Sequence, residues 1–337
     1  LQPQASADVL VRQLARAEDR VTRLDERTRS SAFKAGFLAR VDFSEALAWG
    51  WNSGEVVSAQ DLLLHDAHMD VRAPTQALTA SHRVIRARRK ATGAGPEMFT
   101  PNGASWLAGL RRRPPVAGAP ALPVEDGFAD AAPDMVGRLA AQLDRLRAGD
   151  GESVEAALID GLGLLERTAR DAPKLLQAAA ALEGWRIVDP LPRYRFVGPI
   201  LAAQWLQARG RTPAGLLGLE GGFRAVRRSA REPAETDAAG RLVWGLKVMT
   251  AAAEHGLEEL RRLDLARQVV EISIGQRRAH SHHRDVLALL LARPLITAAV
   301  VAERLNISPQ AARRLIGEMG SSVVEISGRS RFRAWRL

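Results

Sequence analysis

Residues 296–320 read ITAAVVAERLNISPQAARRLIGEMG. Thr297 is a good N-cap for a short helix over Ala298–Leu305. Asn306 and Ile307 make a tight turn, and Ser308 caps a second helix. Pro309 takes that helix's first position, where a missing N–H costs nothing. The spacing carries it over Gln310–Met319 and stops it at Gly320. Upstream, Asp285–Ala292 reads as an apolar helix closed by Pro294. Downstream, Val323–Ile326 reads as a strand, Gly328–Arg331 as a turn and Phe332–Trp335 as the return strand. Helix, helix, turn, helix, hairpin is the order of a winged helix-turn-helix.

Side-chain directions fit that order. Ala312, Leu315, Ile316 and Met319 share one face and are expected to pack on Val301, Ala302 and Leu305. The opposite face carries Gln310, Arg313, Arg314 and Gly317. A helix of two to three turns, basic outside and apolar inside, fits a major groove, where glutamine bonds adenine and arginine takes guanine with two parallel bonds. Gln310, Arg313 and Arg314 are therefore the candidate base readers. Ser308, with Arg329, Arg331, Arg333 and Arg336 of the wing, is a candidate for the phosphate backbone. Phe332, Ala334 and the bulk of Trp335 are expected to face inward. A protein-docking helix-turn-helix needs no arginines on both surfaces, and that favours double-stranded DNA as the partner.

Charge points the same way. Lysine and arginine number 48 against 38 acids, a net charge of +10, and only four of the 48 are lysines. From Arg277 to Leu337, eleven arginines face four acids, so these 61 residues hold +7 of the total. Charge focused on one end marks a polyanion-binding surface. The 337 residues, 46% hydrophobic and 26% charged, have the composition of a soluble globular protein with room for two or three domains. Without cysteine there is no disulfide scaffold, zinc finger or thiol nucleophile. No apolar run approaches the ~20 residues of a membrane span. Leu1–Asp19 lacks an apolar signal core, so a cytoplasmic, nucleoid-associated protein is expected.

The remainder reads as helix, giving a mainly α fold: multi-helical N-terminal and middle domains followed by the winged module with its small β-hairpin. Leu10, Leu14, Ala17, Val21 and Leu24 form one apolar stripe. Further helices are expected over Phe43–Trp51, from Ser58, and over Thr75–Lys90. Five of the 17 prolines lie between Pro114 and Pro133, a linker composition. The expected division is a helical N-terminal domain at 1–113, a linker at 114–133, a helical middle domain at 134–276 and the module at 277–337. In the middle domain, helices are expected over Met135–Arg147, Glu152–Leu182, Ile200–Ala208, Glu235–His255 and Leu257–Glu271.

Three segments carry a resemblance: ITAAVVAERLNISPQAARRLIGEM with EISGRSRFRAW, GEVVSAQDLLLHDAHMDVRAPT at 54–75, and GPILAAQWLQARGRTP at 198–213. Across nearly the whole chain the sequence resembles an alphaproteobacterial family, common on rhizobial plasmids, that joins a domain of unknown function to a C-terminal helix-turn-helix. The resemblance implies DNA binding through the C-terminal domain and no established activity elsewhere. Phe43–Asp66 also resembles the N-terminal helices of Fic-type AMP-transferases. Of that family's inhibitory Ser/Thr-x-x-x-Glu-Gly motif only Gly54 matches, with Trp49 and Ser53 at the other two positions. None of the seven histidines begins the family's His-Pro-Phe loop. Function lives in the site, so AMP transfer is not expected.

Other chemistry finds no support. Asp61, His65 and His68 fall on one side of a helix, near Asp66 and Asp70, a set that binds Zn²⁺ or Mn²⁺ when a third strong ligand closes it. Such residues at a helix end are also what the helix dipole favours, and no metal or cofactor is expected. His280, His282 and His283 read as a lead-in to the module. There is no Walker loop and no Gly-x-Ser-x-Gly elbow, and Tyr194 lies too far upstream for a recombinase nucleophile. Arg224, Arg227, Arg228 and Arg231 are either a secondary DNA contact or a solvated helix face. The expectation is a sequence-specific DNA-binding protein, most simply a transcriptional regulator, homodimeric and not an enzyme. The rivals are a protein-interaction adaptor of antitoxin or plasmid-maintenance type and a degenerate Fic-like nucleotide-using enzyme.

Overall fold

The computed structural model describes residues 3–70, 72–113, 172–234, 237–274, 282–327 and 333–337. The expected linker, the helix expected over Met135–Arg147 and residues 152–171 of the next one lie outside these. The described body consists of α1 (Pro3–Ser30), α2 (Lys34–Asn52), α3 (Ala59–Asp66), α4 (Gln76–Ala91), α5 (Pro101–Leu107), α6 (Lys174–Val188), α7 (Val197–Ala208), α8 (Leu219–Ser229) and α9 (Ala238–Ile274). Local chemistry sets several starts. The side chains of Ser58, Thr75 and Thr100 accept from the N–H of Asp61, Leu78 and Gly103, the N-cap geometry that satisfies an otherwise orphaned donor.

The stripe of Leu10, Leu14, Ala17, Val21 and Leu24 is buried, and α1 lies along α9. Gln13 Nε2 donates to Thr250 Oγ1 at 3.1 Å, and Arg16 pairs with Glu254 at 3.0 Å. The two helices expected over Glu235–His255 and Leu257–Glu271 are one helix of 37 residues, about 55 Å long. Gly256 does not break it. A Cβ there would lie 2.9 Å from the methyls of Leu24, so the glycine admits α1 at close range. Residues of 10–108, within the stretch expected as an N-terminal domain, and residues of 172–263, within the stretch expected as a middle domain, share one buried core. No described helix is long and apolar enough to cross a membrane.

A buried ionic network ties α2, α4 and α8 together. Arg88 of α4 donates to Asp42 at 2.8 Å and to the carbonyls of Leu216 and Leu217. Helix α8 begins after Gly218, which has no side chain to cap with. Glu45 of α2 supplies the acceptor instead, taking the N–H of Glu220 at 2.9 Å and of Gly221 at 2.7 Å. The Glu220 carboxyl, which accepts from Asn52 Nδ2 at 2.6 Å, is pushed up to about 7 by burial and then by the charge of Glu45.

The sign of that shift yields a prediction. The folded chain holds a proton on Glu220 that an unfolded glutamate releases near its ordinary value of 4.5. Stability is therefore lost as pH rises from about 4.5 to about 7, by about 3 kcal/mol, and is level above. In urea unfolding, Glu220→Gln should match the native chain near pH 4 and exceed it by about 3 kcal/mol at pH 8. A difference that does not change with pH would refute the assignment.

Candidate nucleic-acid interface

The C-terminal module contains α10 (His283–Ala292), β1 (Ile296–Thr297), α11 (Ala298–Leu305), α12 (Pro309–Gly317), β2 (Val324–Glu325) and β3 (Ala334–Arg336). Its turns follow the local chemistry. Thr297 Oγ1 accepts from Val300 N at 3.3 Å, and Ser308 Oγ from Ala311 N at 3.2 Å. Asn306 ends α11 in the left-handed region at φ 52°, which its short polar side chain tolerates. Helix α12 ends at Gly317, two residues before the expected Met319, and the chain reverses at Gly320 with φ +87°.

The expected two-stranded hairpin is a three-stranded antiparallel sheet ordered β1-β3-β2. Ile296 pairs with Trp335, and Glu325 with the other side of Trp335. The two residues preceding α11 thus form an edge strand. A segment of two residues has too little alternation to be read as strand from sequence. Ala334 and Trp335 are both buried, on opposite faces as the pleat requires. Trp335 joins the module's core with Val286, Leu290, Val301, Ile316 and Met319. Ala334 and Ile326 join the core of the body. Phe332 lies outside the described residues.

Ala312, Leu315 and Ile316 bury one face of α12, as the spacing predicts. Ser308, Gln310, Arg313, Arg314 and Gly317 are exposed. A Cβ built on Gly317 meets nothing within 4 Å, so this face is open. Among the described residues no carboxylate pairs with Arg313. Arg314 has only a 3.8 Å approach to Glu318, whose other oxygen takes His283 Nε2 at 2.8 Å. On the wing, Arg336 is exposed. Arg333 is held by Glu325, which raises its pKa, and lies 5.5 Å from the Trp335 ring. It is thus less available to a phosphate than the sequence suggests. Arg329 and Arg331 lie outside the described residues.

Residues that sequence reasoning missed join this module to the body. Arg40 of α2, 8% exposed, turns its guanidinium onto the C-terminal end of α10. It donates to the carbonyls of Leu290 at 2.7 Å, Leu291 at 3.1 Å and Arg293 at 3.0 Å, and to Gly36 of its own helix at 3.0 Å. These include carbonyls left without intrahelical partners, at the negative end of the helix dipole. Burial lowers the Arg40 pKa to about 10, so it remains a cation at neutral pH. One turn earlier, a Cβ on Gly36 would fall 1.7 Å from the Leu291 carbonyl oxygen, and only glycine lets the two backbones meet. No local pattern announces either residue, because their partners lie 250 positions away.

The expected cluster around His65 is occupied by ion pairs. His65 Nδ1 meets Asp70 at 2.8 Å, His82 Nε2 meets Asp66 at 3.0 Å, and Arg89 grips Asp66 with both arms at 2.7 and 2.8 Å. Among the described residues no group of three or more His, Asp and Glu is placed to hold a metal ion.

Removing Arg40 should uncouple the module. Arg40→Ala strands three inter-helix carbonyl contacts, and a cost of roughly 3 kcal/mol is expected. In urea the module should then unfold at a lower midpoint than the body, which circular dichroism and Trp335-sensitive fluorescence can separate. A single unshifted transition would show that Arg40 does not hold the joint.

Comparison with known proteins finds a match to the C-terminal module and relatives of the whole chain. Residues 163–275 match a family described as a protein of unknown function, DUF1612. Residues 284–337 match a family described as an HTH DNA binding domain. A Fic family protein from Desulfovibrio desulfuricans G20 shares 12% identity, with a TM-score of 0.48 over 98% of this chain and 95% of that one. The uncharacterized protein y4cF of Sinorhizobium fredii (strain NBRC 101917 / NGR234) is 31% identical over 378 residues, covering 98% of this chain and 97% of its own. With that much of both sequences aligned, the chain belongs to the family of the Sinorhizobium y4cF protein and carries a DUF1612 region ahead of a helix-turn-helix DNA-binding domain.

Proposed function

We propose that this chain is a sequence-specific double-stranded DNA-binding protein, most simply a transcriptional regulator, acting as a homodimer and without catalysis. The observation that carries the reading is the open face of α12, where Gln310, Arg313 and Arg314 are exposed while Ala312, Leu315 and Ile316 are buried. Glutamine and arginine at these positions match the donor and acceptor edges of the major groove. Ser308, at the N-terminus of α12, and Arg336, exposed on β3, suit contact with the phosphate backbone. One module reaches one half-site, and two copies are what a palindromic site requires. Leu265, Val269 and Ile272, exposed on one face of α9, favour contact with a second copy.

The test is a gel-shift titration against salt. In each copy of the chain, six arginines (313, 314, 329, 331, 333 and 336) each neutralising one phosphate would contribute about −5 to the slope, and the Arg333–Glu325 pair reduces this to about −4.5 per copy, or about −9 for a bound homodimer. Arg313→Ala should cost ~1–3 kcal/mol and relax the preference at one base pair. Arg336→Gln should weaken all sequences alike and lower the slope by about 0.9 per bound copy. Binding without salt dependence and without sequence preference would overturn the reading.

A further inference from the structure

We propose that the helical body carries a second contact for the DNA phosphate backbone, formed by Arg224 and Arg228 of α8 over the indole of Trp51. The inference rests on the DNA-binding reading above and extends it beyond the winged module. One face of α8 is fixed to the body. Leu219, Gly222 and Val226 are buried, and a Cβ on Gly222 would lie 2.2 Å from the Val248 carbonyl oxygen of α9. The other face presents arginines one turn apart. The guanidinium carbons of Arg224 and Arg228 lie 5.6 and 5.3 Å from the centre of the Trp51 ring.

Two like charges at this spacing repel each other. The shared indole offsets part of that repulsion through its negative face. What the pair lacks is an anion. Among the described residues no carboxylate is paired with either arginine, and Arg224 Nε is shielded from solvent without a hydrogen-bond partner. Arg227, by contrast, approaches Glu232 at 3.5 Å and lies over Phe223. Burial and the neighbouring Arg228 both lower the pKa of Arg224, as expected for a cation short of a counter-charge. A planar guanidinium fork matches a phosphate oxyanion. Arg228 and Arg231 are exposed, which suits a polymer passing over the surface.

Placement agrees with chemistry. Helix α2 carries Gly36 against α10 at one end and Trp51 at the other. Fifteen residues of helix rise about 22 Å, the length of roughly six or seven base pairs. A duplex that extends beyond the site read by α12 offers the flanking phosphates that this arginine pair would take.

The test compares two duplexes sharing one core site, of about 15 and about 40 base pairs. The wild-type chain should show a salt slope steeper by about 1.8 per bound copy on the longer duplex. The double variant R224Q/R228Q should lose that increment and bind the shorter duplex unchanged, while R224K/R228K should keep it. Arg228→Gln alone, at an exposed position, should lose about 0.9 per bound copy and serves if the double variant does not fold. Equal slopes for the wild-type chain and Arg228→Gln on the long duplex would overturn the proposal. Salt-dependent binding of the short duplex with no increment on the long one would overturn it too, leaving the reading of α12 intact. Absence of binding to both duplexes would overturn the two together.

Discussion

A single arginine sets how the DNA-binding module meets the rest of the chain. Arg40 is buried, and among the described residues no carboxylate pairs with it, an arrangement that would cost several kcal/mol in an apolar setting. It is tolerated because its donors find the carbonyls that α10 leaves open at its end, where the helix dipole is negative. The module does not hang from a tether. It is joined to α2 by Arg40 and Gly36, to α9 by Val270 within its core, and to the body by Ala334 and Ile326 of its sheet.

Helix α2 is the common member of these contacts. Along its length Gly36 admits α10, Arg40 caps it, Phe37 and Val41 fill the core, and Glu45 caps α8 from outside. Its last turn supplies Asn52 to Glu220 and Trp51 to the arginines of α8. A helix with partners on so many sides has no single apolar stripe. Periodicity accordingly points only to Phe43–Trp51, whereas the helix begins at Lys34.

The same contrast runs through the candidate site. Gln310, Arg313 and Arg314 were legible because a capped helix with alternating faces declares its solvent side through spacing alone. The wing was legible in part: Ala334 and Trp335 are buried as expected, while Arg333 is tied to Glu325 across the sheet. That pairing depends on register, set here by the antiparallel pairing of β3 with β2 on one side and β1 on the other. Gly256 misled for a related reason. In sequence it looks like a helix end, whereas in space it is the point where Leu24 of α1 rests on α9.

What the amino-acid sequence determined alone was local: the caps at Ser58, Thr297 and Ser308, the tight turn at Asn306, the apolar stripe of α1 and the two faces of α12. Each is settled by groups within a few residues of one another, so near neighbours suffice to predict it. Tertiary structure alone decided which carbonyls Arg40 bonds, which helix Glu45 caps, where β1 pairs and what shares the indole of Trp51. Those partners lie from tens to hundreds of residues apart, and burial in a common core, not chain adjacency, brings them within hydrogen-bonding distance.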